Sequence, residues 1–209
     1  MNPGLEASPA PADPAQAPSD APVLASDRRN SSRSNRDPRA LLDEVIAELQ
    51  QRPGAPDVTL VDRAFELATR AHEGQRRRSG EPYLIHPVRV ARTIARMGLG
   101  ACSVAAGLLH DSVEDSELTV PDVAEHVGNE VAIIVDGVTK MGKVPYLSRQ
   151  EQQAESFRKM LLAMSQDIRV LLVKLADRLD NMQTLEHMPQ EKRARISRET
   201  MEIYAPLAH

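Results

Sequence analysis

SVAAGLLHDSVED, residues 103–115, opens as a helix that is apolar almost all round and closes on four ionisable side chains within six residues. A helix without a polar face belongs in a protein interior. Histidine and carboxylate delivered to the end of such a helix are costly to bury unless something pairs them. The helix is expected from Ser103 to about Asp111; His110 stands four residues from Glu114 and Asp111 four from Asp115, so two adjacent helical faces carry acid/base groups. Taken alone, the same run also reads as a solvated, charged helix end.

Two other stretches bear on that choice. Ile168–Leu179 (IRVLLVKLADRL) is apolar on most faces and carries Asp177 deep within it. A buried aspartate needs a cation, either a metal or a basic side chain such as Arg178. In Tyr83-Leu84-Ile85-His86-Pro87-Val88, His86 stands just before a helix whose approach Pro87 fixes. A metal explains His86, His110, Asp111 and Asp177 together. Two imidazoles with two carboxylates form a mixed N/O donor set, suited to Mn²⁺, Fe²⁺, Zn²⁺ or Mg²⁺ rather than to Cu(I) or an iron–sulfur cluster. Such an ion is a Lewis acid for a phosphoryl oxygen and acidifies water, while a neighbouring carboxylate orients the water or takes its proton.

Outward from these stretches the periodicity stays helical. Leu41, Leu42, Val45, Ile46 and Leu49 form one apolar face, ended by Pro53-Gly54. Asp57 or Thr59 caps a second helix reaching about His72, and another runs from Pro87 to Met97. Thr119-Val120-Pro121-Asp122 starts a helix that Gly128 breaks, and Asn129 caps the next. After a loop around Gly142–Pro145, three helices span roughly Ser148–Met164, Asp167–Leu185 and Gln190–Tyr204. No stretch sustains a period of two, and no hairpin turn separates β-branched runs. The expectation is an all-α bundle of about nine helices over residues 41–209, enough chain for one core. Residues 1–40 differ, with seven of the 15 prolines, eight alanines, no aromatic residue, and five acids balanced by five arginines. Such a segment buries too little apolar surface to offset chain entropy and is expected to be a disordered tail.

Composition narrows the function. A net charge of -4 argues against a surface built for nucleic acid, and five aromatic residues without tryptophan leave little for base stacking. The single cysteine, Cys102, cannot form an internal disulfide, which fits a cytoplasmic setting. The apolar runs are far shorter than the roughly 18 residues of a membrane span, and no signal peptide is recognisable. No nucleic-acid or membrane partner is expected. A polyanionic substrate would need a local positive site, which Arg76-Arg77-Arg78 can supply, with Lys140 and Lys143 across the cleft.

The pattern H…HD…D resembles the HD-domain superfamily of metal-dependent phosphohydrolases. The surrounding text, AHEGQRRRSGEPYLIHP, GLLHDSVEDS, VDGVTKMGK, RKMLLAMSQDIRVLLVKLADRLDNM and ISRETMEIYAPLAH, is similar to the N-terminal hydrolase domain of RelA/SpoT-type enzymes. Those enzymes make and degrade the alarmones ppGpp and pppGpp of the stringent response. The resemblance runs from about residue 57 to the C-terminus. It implies one Mn²⁺ on His86, His110, Asp111 and Asp177, and a water positioned or activated by Glu114 and Asp115. Arg77, Arg78 and Ser79 would match the basic loop near the guanine and phosphates, and Asn181 and Thr184 the nucleotide-contacting segment. The implied reaction removes the 3′-pyrophosphate, leaving GDP or GTP. A synthetase domain in cis, with GTP pyrophosphokinase activity, would follow in a longer natural protein. Two positions depart from the family: Asp180 stands where histidine is common and Gln183 where arginine is common. An acid at the base-binding wall is expected to weaken nucleotide affinity or shift the preference between ppGpp and pppGpp. The alternatives are an HD hydrolase of another nucleotide and a non-catalytic alarmone-binding regulatory module.

Overall fold

The computed structural model describes residues 37–54, 56–142 and 149–208. The tail to residue 36, Lys143 and most of the expected 142–145 loop lie outside the described residues. Among those described there is no β-strand, and nine α-helices have eight residues or more, in agreement with the all-α reading.

The first helices follow their caps. Helix α1 (Pro38–Gln50) starts three residues before Leu41, because the Asp37 carboxylate accepts from Arg39 N and Pro38 suits the first turn. Arg39 is therefore structured, pairing with Asp43 and with Asp62 on α2 at 2.7 Å. Helix α2 (Val58–Ala71) is capped by Asp57, and α3 (Ile85–Arg96) places His86 inside its first turn rather than before it. Helix α4 (Ala101–Leu109) is buried from Ser103 to Leu109. It packs on α2 and α3, and on α7 (Asn129–Gly142).

The helix expected from Ser103 to about Asp111 starts and ends two residues earlier. Helix α4 ends at Leu109, the chain turns through His110 and Asp111, and a separate four-residue helix α5 (Ser112–Asp115) follows. Glu114 and Asp115 therefore do not extend the faces of α4. Helix α6 (Val120–Val127) has a reciprocal cap between Thr119 and Asp122 and stops at Gly128, whose φ of 94° few other residues adopt.

Helices α8 (Arg149–Gln166) and α9 (Ile168–Gln183) follow, the second capped by Asp167. Next comes a 3₁₀ turn, Leu185–His187. The expected final helix is divided into α10 (Gln190–Glu199), a π-helical turn at Thr200–Tyr204 and a short α11 (Ala205–Ala208).

Two glycines set the closeness of the layers. A Cβ on Gly107 would stand 2.5 Å from Ile94 Cδ1 and 3.3 Å from Ala91 Cα, so α4 can lie against α3 without a gap. On Gly137 it would meet Val170 at 2.7 Å, which brings α7 against α9. The start of α3, the end of α4 and the middle of α9 thereby converge at one point of the core.

Candidate metal centre and cleft

That point holds the four residues singled out as ligands. His110 Nε2 lies 3.1 Å from Asp111 Oδ2 and 3.8 Å from Asp177 Oδ1. His86 Nε2 lies 3.5 Å from Asp111 Oδ2 and 3.4 Å from Asp177 Oδ1. Ligand atoms of His86, His110 and Asp177 all fall within 4.8 Å of one another. His110 Nε2 is buried and has no hydrogen-bond partner, which a group facing a cation explains and a packed neutral imidazole does not. The donor set and this orphaned nitrogen together fit a divalent ion.

The outer nitrogen of each imidazole is held differently. His110 Nδ1 donates to the Gly107 carbonyl at 2.8 Å, so Nε2 is the nitrogen that faces the cluster. His86 Nδ1 contacts Asp180 Oδ2 at 2.6 Å. Asp180 is buried and also pairs with Arg77 Nη1 at 3.1 Å. Asp180 is not among the residues that line the cleft over the cluster. The Asp177 carboxylate accepts from Asn181 Nδ2 at 2.6 Å and lies 3.3 Å from Lys174 Nζ. The basic partner open to Asp177 is thus Lys174, one turn earlier. Arg178 points elsewhere, to Glu199 and over the Tyr204 ring.

Charge at the cluster follows from these contacts. Burial opposes protonation of His86 and His110, yet the surrounding carboxylates hold their pKa values up, at about 10 and about 9. Burial works against ionised Asp111 and Asp177, and the imidazoles overcome it, keeping both well below the usual carboxylate range. Tyr83 is raised by burial and by Asp111 and Asp115, so it stays a phenol. Its hydroxyl reaches Asp115 Oδ2 at 2.7 Å and Asp111 Oδ2 at 3.2 Å. Its ring stacks on His72 at 4.4 Å, and His72 meets Ser112 Oγ through Nε2.

A cleft of about 370 Å³ opens over the cluster. Its floor includes Tyr83, His86, Asp111 and Asp177, and its sides Asn181, Thr184, His187 and Met188. Arg76, Arg77, Arg78, Ser79 and Lys192 line it as well. The basic loop is pinched by an antiparallel bridge between Arg76 and Pro82 and turned by Gly80, whose N–H donates to the Arg77 carbonyl. Arg77 is engaged by Asp180 and Asn181, whereas Arg76 and Arg78 are exposed. Ser79 Oγ donates to Glu81, itself clamped by Arg89, and Thr184 Oγ1 donates to the Asp180 carbonyl.

Glu114 and Asp115 do not line this cleft. They border a more open depression of about 800 Å³ with Leu67, Arg70, Gln75 and His126, and Tyr83 is the link from Asp115 to Asp111. Lys140 pairs with Asp136 and does not line the cleft, and Gln183 is exposed outside it. Tyr83, Lys174, His187, Met188 and Lys192 went unassigned in the sequence. Lys174 alone left a signal there, one turn before Asp177.

Comparison with known proteins gives the cluster a context. A family model described as HD domain matches residues 64–209. The chain is 52% identical over 157 residues to a protein of Myxococcus xanthus named GTP pyrophosphokinase, covering 74% of this chain and 21% of that protein. It is 51% identical over 169 residues to a Vibrio cholerae guanosine-3′,5′-bis(diphosphate) 3′-pyrophosphohydrolase, covering 81% of this chain and 24% of that one. The chain thus spans about a quarter or less of the length of these curated relatives. A solved structure reported as a metazoan ortholog of SpoT that hydrolyzes ppGpp superposes with a TM-score of 0.58 at 26% identity, over 71% of this chain and 84% of that one.

Proposed function

Because this chain belongs to the HD-domain family, we propose that it hydrolyses the 3′-pyrophosphate of ppGpp and pppGpp, with Mn²⁺ as the resident ion. The observation that carries the reading is the convergence of two imidazole Nε2 atoms and two carboxylates at the floor of a basic-edged cleft. Relatives named for making and for hydrolysing the same nucleotide support the substrate.

His86, His110, Asp111 and Asp177 would hold the ion. When bound, it supplies Lewis acidity toward a phosphoryl oxygen and a water of lowered pKa. Bond making and breaking are simple: the water oxygen joins the phosphorus, the bond from that phosphorus to ribose O3′ breaks, and a proton ends on O3′. Asp115, aligned by the Tyr83 hydroxyl, is the group that holds the water proton, and Glu114 adds negative charge beside it. Arg76, Arg78 and Lys192 receive the phosphates, while Arg77, Ser79, Asn181 and Thr184 shape the side that faces the nucleoside. In the whole protein the same reading places a synthetase domain in cis and a cytoplasmic setting.

Pyrophosphate release from ppGpp by the purified chain tests the reading. Release is expected with MnCl₂ and is expected to stop on chelation and in Asp111→Ala. Turnover of deoxynucleoside triphosphates or NADPH without turnover of ppGpp would move the assignment to another nucleotide. Tight ppGpp binding without turnover would make the domain a regulatory module.

A further inference from the structure

We infer that Asp180 is a positioning residue that joins the metal centre to the substrate loop through one carboxylate oxygen. The inference rests on the metal reading above. Asp180 Oδ2 lies 2.6 Å from His86 Nδ1 and 3.1 Å from Arg77 Nη1. The carboxylate is 3% exposed and its Oδ1 has no hydrogen-bond partner, so burial is tolerated for what Oδ2 does. An ionised carboxylate at this distance accepts the Nδ1 proton of His86, which commits the other nitrogen, Nε2, to the ligand cluster and fixes the ring plane. The same oxygen anchors Arg77.

The two histidines make the argument specific. His110 needs no side chain for this purpose, because the Gly107 carbonyl in the helix it directly follows takes its Nδ1 proton. His86 sits in the first turn of its helix, where no preceding helical carbonyl is available, and α9 supplies the acceptor instead. Asp180 lies one turn after Asp177, so α9 contributes a ligand and the orienter of a different ligand from one face.

The test is calorimetric titration of the metal-stripped chain with MnCl₂, with no nucleotide present. Removal of such an outer partner weakens metal affinity by about 10–100-fold, and Asp180→Ala is expected to fall in that range. Asp180→Asn keeps an oxygen for Nδ1 but loses the charge, so a smaller loss is expected. It also carries the test should the alanine variant not fold. Arg77→Ala is expected to raise KM for ppGpp with Mn²⁺ affinity unchanged, whereas Asp180→Ala changes both. In the Zn²⁺-loaded chain, the Nδ1 proton signal of His86 should stand at lower field than that of His110 and move upfield in Asp180→Ala, with His110 unmoved.

Folded Asp180→Ala, or failing it Asp180→Asn, with wild-type Mn²⁺ affinity and an unmoved His86 signal would overturn the inference while leaving the metal reading intact. Arg77→Ala losing as much Mn²⁺ affinity as Asp180→Ala would overturn the direct hold on His86. A wild-type chain that takes up no Mn²⁺ would overturn both readings.

Discussion

The floor and the rim of the cleft are built on opposite terms. On the floor, His86, His110 and Asp177 are 3%, 0% and 9% exposed and issue from helices whose apolar neighbours leave them one direction to point. Each has a fixed outer partner: Asp180, the Gly107 carbonyl, and Asn181 with Lys174. On the rim, Arg76 and Arg78 are exposed, and Arg76 is held only by the carbonyl of Gly80 in its own loop, at 2.8 Å. Packing therefore decides the floor before any substrate arrives, whereas the rim takes its final form with a ligand. Substitutions should separate the two: on the floor they remove chemistry, and on the rim they weaken binding.

The largest effect belongs to the floor. Asp177→Asn or His110→Ala should lower ppGpp hydrolysis by about a thousandfold or more, because the charge stabilisation an ion provides is worth several kcal/mol. The loss should appear in kcat as well as in Mn²⁺ uptake. Asp115→Asn ranks next, with kcat reduced by about a hundredfold, the low end for a positioned acid/base group. Here Mn²⁺ affinity should be retained, because Asp115 reaches the cluster only through Tyr83. A ligand variant with wild-type kcat would show that the floor is structural, and the contrast with the rim would then disappear.

The metal-free floor should also respond to pH in a defined direction. His86 and His110 have pKa values raised to about 10 and about 9, from an unfolded value near 6.5. Groups raised on folding stabilise the protein fully below the unfolded pKa and lose that contribution as pH rises through the folded one. The stripped chain should therefore lose thermal stability between about pH 6.5 and 10. An ion takes the place of these protons, so its uptake should release protons, and affinity should rise by about tenfold per pH unit for each proton displaced. Melting curves with and without MnCl₂ at pH 6.5, 8 and 9.5 check both signs. A stripped chain whose stability rises over this range would show that the imidazoles are not paired with the carboxylates.

The same division explains what was legible in the sequence. His110, Asp111 and Asp177 stood out because ionisable groups in apolar helices need a physical reason to be there, and the structure brings them together with His86. The end of the helix from Ser103 at about Asp111 was legible too, and α4 stops at Leu109. What local periodicity did not supply was the short second helix, Ser112–Asp115, which sets Asp115 against the Tyr83 hydroxyl and outside the cleft. The contact of Asp180 with His86 was not legible, because it depends on α9 lying against the first turn of α3, a tertiary fact. Tyr83 left no signal either, since a tyrosine in a loop becomes a link only when Asp111 and Asp115 flank its hydroxyl.

The smallest expected effect, on the rim, is the most direct measure of the contrast. Arg78 is exposed and lines the cleft, so on the proposed reading its guanidinium would meet a phosphate partly in water, where screening keeps an ion pair weak. Arg78→Ala should raise KM for ppGpp by about two- to tenfold, an energy of the order measured for exposed and half-buried pairs, with kcat and Mn²⁺ affinity unchanged. The penalty should shrink as salt rises, because the wild type loses its advantage under screening while the variant has none to lose. A floor residue would behave otherwise, since a buried pair is little screened. If Arg78→Ala instead lowered kcat independently of salt, the loop would be touching the transition state, and the boundary between floor and rim would have to move outward to include it.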